Sequence, residues 1–224
     1  MIGKIIDWRG SSLEDLKAFP ESACAVAGKQ LRNIQYGLEP NDFKLINNWG
    51  AGVIEIRLDD NSKAYRVVYV AKFEEKIYVL HSFQKKSQST SQKDINIIRS
   101  RYKEVIHERR RKMTDKIDTA SRHMTTAEDN IFTDLGFSDA KATQLLAESN
   151  ADIEQALAMK KALMTSIASW IKSEGIRQVD AATLLHVSRP RVSDVVNQKA
   201  EKFTLDSLIC MASNIGKKVT LIIE

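Results

Sequence analysis

The spacing of hydrophobic residues at the start of the chain predicts a strand followed by two helices. The segment Lys4–Trp8, with the β-branched pair Ile5–Ile6 and an aromatic residue, indicates an opening strand. The serine pair that follows can cap a helix, and Pro20 prevents this helix from continuing. A second helix is expected from Glu21 to Tyr36, because Gly37 supplies a natural stop.

Four strand-like segments and a long helix come next. The segments are rich in β-branched and aromatic residues and are bounded by turn residues: Asp42–Ile46, Val53–Asp59, Ala64–Phe73 and Lys76–Lys86. A tight turn at Glu74–Glu75 joins the last two, and apolar residues at helical spacing predict a helix over Lys93–Arg111. Residues 1–112 are therefore expected to form an α+β domain, in which helices pack on an antiparallel sheet.

The second half of the chain is predicted to be mainly helical. Residues 113–129 have few large apolar side chains and no periodicity, so we interpret them as a flexible join. A short helical segment begins at Asn130, and two longer helices are expected from Ser138 to Ser149 and from Asp152 to Glu174. Three shorter helices and a short C-terminal strand complete a domain that is expected to span residues 130–224.

The segment Gln178–Asn197 has the pattern of a helix-turn-helix. Its apolar positions include Val179, small Ala182 permits a close helix crossing, and Pro190 lies where its missing N–H costs little. The second helix of such a pair lies in the major groove of DNA, with its side chains reaching base edges and phosphates. The polar residues on and around this helix are the candidate DNA-binding residues: Gln178, Ser188, Arg189, Arg191, Ser193, Asn197 and Lys199.

Two features of this segment carry particular expectations. Arg189 and Arg191 are the candidates for base reading, because a guanidinium group matches the O6 and N7 atoms of guanine. His186 occupies the tight turn, where glycine is usual, and is expected to need a positive φ.

The region from Asn130 to Glu224 resembles the antitoxins of the HigA kind in the Xre family. The resemblance is carried by NIFTDLGF, by LLHVSRPRVSDVV and by KFTLDSLICMASNIGKKVTLII, which together cover nearly the whole second half. It implies a DNA-binding antitoxin that represses its own operon. It also implies a homodimer formed through the C-terminal domain, with the last strand pairing across the dimer.

Residues 1–110 resemble the toxins of the RelE and HigB superfamily, in the phage-derived Gp49-like branch. The matching segments are Ile54–Asp60, Tyr65–Val70 and Ile77–Thr90, followed by the closing helix. A proline often follows the last segment in this family, whereas Ser91 stands here. The resemblance implies a ribosome-dependent endoribonuclease that cuts mRNA and that has the ribosome and mRNA as partners.

The chemistry of RNA cleavage selects candidate residues within this half. Attack by a neighbouring 2′-hydroxyl needs a base, an acid, and positive charge on the phosphorane. The candidate catalytic residues are strand residues that supply these groups: Arg57, Arg66, His81 and Lys85. Lys86 and Lys63 are candidates for binding RNA, and His81 alternatively serves only as a half-buried residue of the strand.

The charge distribution suggests how the two halves interact. Residues 1–112 carry 21 Lys and Arg against 14 Asp and Glu, residues 113–155 carry 3 against 9, and residues 156–224 carry 10 against 6. An acidic segment between two basic ones can lie against the toxin half and speed their association. We therefore hypothesise a type II toxin–antitoxin pair on one chain, in which the antitoxin half neutralises the toxin half.

Two alternatives remain at this stage. The chain is a transcriptional regulator if the RelE-like domain is catalytically inert, and a gyrase inhibitor if that domain acts as ParE-type relatives do. No apolar run is long enough to span a membrane. The two cysteines fit no metal spacing, and we expect neither a metal nor a cofactor. A cytoplasmic protein is expected, because the first residues lack the features of a signal peptide.

Overall fold

The computed structural model describes residues 3–73, 76–112 and 122–220. The chain divides into two compact units, Met1–Ser149 and Asn150–Glu224. Three sequence-based predictions lie at least partly outside the described residues: the turn at 74–75, residues 113–121 of the join, and residues 221–224 of the C-terminal strand.

The first unit is built on a six-stranded sheet with the order β2-β3-β4-β5-β1-β6. The strands are β1 (Ile5–Trp8), β2 (Phe43–Leu45), β3 (Val53–Asp60), β4 (Lys63–Val70), β5 (Lys76–Lys85) and β6 (Met124–Thr125). The predicted meander from β2 to β5 is confirmed, with antiparallel pairs throughout. The expectation of a purely antiparallel sheet is wrong for β1, which pairs with β5 in parallel. Hydrophobic spacing could not reveal this, because it marks a strand without identifying its partner.

Helices cover both faces of this sheet. They are α1 (Ser12–Lys17), α2 (Glu21–Gln35), α3 (Gln92–Lys112), α4 (Ile131–Asp134) and α5 (Asp139–Ser173), of which α5 continues into the second unit. One core joins sheet residues such as Ile56 and Val67 to α1, α2, α4 and the start of α5. The other core packs sheet residues such as Leu80 against Ile98 and Val105 of α3.

Residues 122–149, which we call the clamp segment, complete the first unit. Strand β6 pairs with β1, and the indole Nε1 of Trp8 donates a hydrogen bond of 2.9 Å to Thr125 Oγ1. Arg32 Nη1 donates to the carbonyl oxygen of Ala127 at 2.7 Å. Phe132 is fully buried against Gly28, where an added Cβ would lie only 2.6 Å from the phenyl ring.

The clamp segment crosses the domain boundary that the sequence predicts. Residues 122–129 were interpreted as part of a flexible join, but their backbone pairs with β1 and both Thr125 and Ala127 are buried. Residues 130–149 were assigned to the second domain, yet they pack into the first unit. These contacts join residues about 90 to 120 positions apart, so the local pattern of the segment contains no trace of them.

The second unit is helical. It contains α5 from Asn150 onward, α6 (Gln178–Leu184), α7 (Arg189–Val196), a 3₁₀ turn (Ala200–Lys202) and α8 (Leu205–Asn214). Its core joins side chains of all four helices, including Met164, Ala182, Val192 and Leu208.

Three details of this unit differ from expectation. The two helices predicted on either side of Asn150 form the single helix α5, because no Gly or Pro interrupts the sequence there. Val179 was placed among the core positions, but it is 53% exposed. Residues 217–220 have no regular structure. They include the described part of the expected C-terminal strand.

Loosening the clamp segment should expose Cys24. This thiol lies 4.0 Å from the carbonyl oxygen of Leu135, and burial raises its pKa to about 11, so it should resist alkylation. Phe132→Ala removes a buried ring, at a cost of about 3–5 kcal/mol, and should speed iodoacetamide labelling of Cys24 by tenfold or more. Labelling of the full chain is followed by mass spectrometry.

The control for this experiment is Thr133→Ala, because Thr133 is exposed beside Phe132. Exposed Cys210 should react quickly in every variant and serves as an internal standard. Equal labelling of Cys24 in the Phe132→Ala and Thr133→Ala variants would show that the phenyl ring does not hold the segment in place.

Candidate functional site

The candidate catalytic residues share one face of the sheet in the first unit. Arg57 lies opposite Arg66, which in turn lies opposite Phe83 on β5, and residues directly opposite in antiparallel strands point the same way. His81 and Lys85 are two residues to either side of Phe83 and therefore lie on this face as well. The structure thus brings Arg57, Arg66, His81 and Lys85 onto the face that α3 partly covers.

An irregularity in the sheet positions His81. The register between β4 and β5 shifts beside Val68, so that Leu80 has no direct partner on β4. Such a bulge re-aims the side chains next to it. Arg101 of α3 fixes the bulge, because its Nη1 donates a hydrogen bond of 2.8 Å to the carbonyl oxygen of Leu80. Its Nη2 donates to Ser11 Oγ at 2.9 Å, which ties the start of α1 to the same place.

The imidazole of His81 lies between two carboxylates. It is only 6% exposed and stacks on Phe83, with the ring centroids 5.2 Å apart. Its Nε2 atom is 3.0 Å from Asp94 Oδ1, which is a hydrogen-bond distance. Its Nδ1 atom is 3.5 Å from Asp15 Oδ2 and has no hydrogen-bond partner among the residues that the structure describes. The two ring nitrogens therefore have different environments.

An open cleft of about 460 Å³ adjoins His81, and we call it the His81 cleft. It is lined by charged and hydroxyl side chains as well as Phe83: Ser11, Asp15, His81, Lys85, Lys86, Ser87, Ser89, Ser91, Lys93 and Asp94. Three lysines around one imidazole make a site suited to a phosphodiester, because they supply positive charge beside a group that exchanges protons.

The two arginines of the predicted set do not line the His81 cleft. Arg66 is 8% exposed, lies within 3.7 Å of Glu55 and 3.6 Å of Asp59, and donates to the carbonyl oxygen of Tyr65. Arg57 lies 3.7 Å from Asp42 and 3.8 Å from Glu55. Both guanidinium groups already face carboxylates. Lys63, the remaining RNA-binding candidate, is exposed at the beginning of β4.

Sequence reasoning missed Asp15, Asp94 and Lys93. A signal for Asp94 was present, since Ser91 and Asp94 form the serine-x-x-acid pattern that caps a helix. In the structure the backbone N–H of Asp94 donates to Ser91 Oγ at 3.2 Å, and α3 begins there. Asp15 had no such signal, because it is one of two adjacent acids on the short helix α1.

A second cluster of charges joins the clamp segment to β1. Asp7 is fully buried and lies 3.1 Å from Arg9, 3.1 Å from Lys76 and 3.2 Å from Arg122. Glu108 of α3 accepts from both Arg9 and Arg122. Burial opposes the charge of Arg9, but the hydrogen bond to Glu108 and the charge of Asp7 outweigh it and raise its pKa.

The candidate DNA-binding helix, α7, has an exposed polar stripe. Arg189, Ser193 and Asn197 are spaced four residues apart and so lie on one side of the helix. Arg189 is exposed and makes no hydrogen bond or ion pair with the described residues, while the amide of Asn197 donates to Ser193 Oγ at 3.2 Å. Ser188 occupies the N-cap position without a capping hydrogen bond from its side chain.

Other residues of the predicted DNA-binding set are engaged within the second unit. Arg191 lies 4.0 Å from the ring centre of Phe203 and donates to the carbonyl oxygen of Lys202 at 2.6 Å. It therefore holds the segment after α7, whereas the sequence predicts that it faces outward and reads bases. Lys199 lies 3.2 Å from Asp194. Gln178 is half-buried at the start of α6.

The turn before α7 has the strained backbone that the sequence predicts. His186 has a φ of +53°, in the left-handed region that favours glycine. The amide of Asn214 donates to the carbonyl oxygen of the preceding Leu185 at 3.2 Å, which supports the turn from α8.

Comparison with protein families accounts for both halves. Residues 14–103 match the family described as phage derived protein Gp49-like, and residues 131–224 match a helix-turn-helix domain. The chain joins a Gp49-like domain to a helix-turn-helix domain. This confirms the resemblance to RelE- and HigB-type toxins in the first half and to Xre-type proteins in the second. A comparison with curated proteins gives no match.

The helix-turn-helix match extends beyond the second compact unit. It begins at residue 131, whereas that unit begins at Asn150. Residues 131–149 of the clamp segment thus belong by sequence to the helix-turn-helix family and by packing to the Gp49-like unit. Within the described ranges, no helix is long and apolar enough to cross a membrane, and no group of His, Cys, Asp and Glu could hold a metal ion.

Arg191 should matter for stability more than Arg189 does. Arg191→Ala loses the contact with Phe203 and the hydrogen bond to Lys202, which should lower the free energy of unfolding of the second unit by about 1–2 kcal/mol. Arg189→Ala should leave it unchanged. Urea unfolding of the full chain, followed by the methyl NMR signal of buried Ile167, measures this unit. Equal midpoints for the two variants would contradict the assigned role of Arg191.

Proposed function

We propose that the chain is a type II toxin–antitoxin module, with a Gp49-like endoribonuclease that the helix-turn-helix half neutralises. The observation that carries the proposal is that residues 131–149 of the clamp segment match the helix-turn-helix family and yet pack into the core of the Gp49-like unit. A regulator with an unrelated sensing domain has no need for such shared packing.

The His81 cleft supports an RNA substrate. RNA cleavage through the 2′-hydroxyl needs proton transfer and stabilisation of a negatively charged phosphorane, and it needs no metal. His81 supplies the proton transfer, and the lysines at 85, 86 and 93 supply the positive charge that stabilises the phosphorane. The same set favours RNA over gyrase as the target. Translated mRNA on the ribosome is the proposed substrate.

The contacts of the clamp segment modify the electrostatic hypothesis of neutralisation. One ion pair has the expected polarity, since Glu148 lies 2.8 Å from Lys29. Arg122 has the opposite polarity, because it is a cation bound to Asp7 and Glu108. The segment also buries the apolar residues Ile131, Phe132, Leu135, Ala142 and Leu145 in the core of the first unit. We therefore propose that apolar packing holds the halves together and that charge contributes less.

The second unit is proposed to bind operator DNA as a homodimer and to repress the operon. Arg189, Ser193 and Asn197 form the stripe that reads the major groove, and Lys199 contacts the backbone. Arg191 is assigned instead to holding α7 against the segment that follows it.

One observation favours a regulator with an inert Gp49-like domain as a second candidate. Arg57 and Arg66 both face carboxylates, as an unused site would allow. In that case the His81 cleft has no catalytic role and the chain acts only through DNA.

Inducible expression separates these two functions. Residues 1–112 should arrest growth and produce new mRNA ends, and residues 113–224 supplied in trans should relieve both effects. Replacing Lys85 and Lys86 by alanine in residues 1–112 should abolish the arrest, because the His81 cleft loses two of its cations. Lys103→Ala is the control, since Lys103 is exposed on α3 and does not line the cleft. Normal growth and intact mRNA, with residues 1–112 soluble and folded by circular dichroism, would support the inert regulator instead.

Binding to the DNA upstream of the gene tests the second unit. Arg189→Ala should weaken binding by the full chain about tenfold or more, because a guanidinium–guanine pair contributes about 1–3 kcal/mol. Lys161→Ala removes the same charge from an exposed site on α5 and should have little effect. Fluorescence anisotropy of labelled DNA measures both. A loss of affinity that is the same for the two variants would mean that only net charge matters.

A further inference from the structure

The two carboxylates beside His81 have different relations to the imidazole, and this difference suggests separate roles. Asp94 approaches Nε2 at 3.0 Å and is itself held in place, since Ser91 Oγ donates to its Oδ2 at 2.5 Å. Asp15 lies 3.5 Å from Nδ1, and its Oδ2 accepts from Ser11 Oγ at 2.7 Å. One nitrogen is thus fixed by a hydrogen bond, while the other is not.

The unbonded nitrogen belongs to a residue that lines the cleft. His81 is more than nine-tenths buried, yet its Nδ1 has no hydrogen-bond partner, which is unusual for a buried polar atom. His81 and Asp15 both line the His81 cleft, together with Lys85. Of the two ring nitrogens, Nδ1 is the one that has no hydrogen bond to lose when a ligand enters, and the carboxylate of Asp15 lies 3.5 Å from it, where it can stabilise the positive charge that forms if this nitrogen takes a proton.

We propose that Asp94 is the positioning residue of the site and that Asp15 is a further catalytic residue, with Nδ1 of His81 as the nitrogen that meets the RNA. Asp94 accepts the Nε2 hydrogen and so leaves the lone pair on Nδ1. The inference rests on the proposed ribonuclease function, because it assigns roles within that site.

The assignment gives a balanced reaction. Nδ1 takes the proton of the 2′-hydroxyl while the O2′–P bond forms, and Asp15 stabilises the resulting imidazolium. The P–O5′ bond breaks, and the ammonium group of Lys85 donates a proton to the departing 5′ oxygen. The products are a 2′,3′-cyclic phosphate and a 5′-hydroxyl. His81 then loses its proton and Lys85 regains one, so no co-reactant is consumed.

A substitution at Asp94 tests the positioning role through the tautomer of His81. In Asp94→Asn, the hydroxyl of Ser91 still needs an acceptor, so the amide oxygen should take the place of Oδ2 and the amide NH₂ should face Nε2. The imidazole would then carry its hydrogen on Nδ1. Long-range ¹H–¹⁵N NMR of the full chain distinguishes the tautomers, at a pH high enough for a neutral ring. The chain has only four histidines, and His81→Gln identifies the signals of His81.

The expected result is an Nε2–H tautomer in the wild-type protein and its reversal in Asp94→Asn. Glu104→Gln is the control, because Glu104 is exposed elsewhere on α3, and it should leave the spectrum unchanged. The same tautomer in the wild-type protein and in Asp94→Asn would overturn the positioning role, whether or not the chain cleaves RNA.

A non-cleavable RNA tests which nitrogen meets the ligand. A short single-stranded oligonucleotide with 2′-O-methyl groups should shift the Nδ1 resonance and leave Nε2 nearly unchanged. In Asp15→Asn the oligonucleotide should still bind, but cleavage of unmodified RNA should fall roughly a hundredfold. A shift at Nε2 alone, or full cleavage by Asp15→Asn, would overturn the inference. If the oligonucleotide does not bind at all, the assignment of Nδ1 as the nitrogen that meets the RNA fails, while the tautomer experiment still decides the role of Asp94.

Discussion

A buried carboxylate on the first strand constrains the whole Gp49-like unit. Asp7 is fully buried, and a buried charge without partners costs several kcal/mol. Its three cations come from different parts of the chain, since Arg9 follows it on β1, Lys76 begins β5 and Arg122 begins the clamp segment. The parallel pairing of β1 with β5 and the return of the chain to β1 after α3 are therefore needed together. Loss of either feature would remove one of the cations that pair with Asp7.

This constraint explains why the first part of the clamp segment, which precedes the helix-turn-helix match, lies in the Gp49-like unit. Strand β1 has β5 on one side, and its other edge is covered by β6 of the clamp segment. The buried indole of Trp8 also finds its hydrogen-bond partner there, in Thr125. Removing the segment would uncover the backbone of β1, this indole and the apolar surface around Gly28 that contacts Phe132. The proposed neutralisation thus reuses surfaces that the unit cannot leave exposed at low cost.

Features that depend on neighbouring residues could be predicted from the sequence. Features that depend on residues far apart along the chain could not. The meander, the helices α2 and α3, and the positive φ of His186 follow from local spacing and turn chemistry. The pairing of β1 and the role of residues 122–129 depend on partners far along the chain. In the candidate site, residue type pointed to His81 and Lys85, but Asp15 comes from another element. The ion pairs of Arg66 could not be foreseen either, because Glu55 and Asp59 become its neighbours only through strand register.

Hydrogen exchange in the full chain tests most directly whether residues 122–149 complete the Gp49-like unit. The backbone N–H of Trp8 donates to the carbonyl oxygen of His123 across the β1–β6 edge, whereas Val68 lies on the central strand β4. If the clamp segment is part of the unit, the amide of Trp8 should be protected to nearly the same degree as that of Val68. Exchange of Trp8 at the rate of an exposed edge strand, with Val68 still protected, would contradict the account.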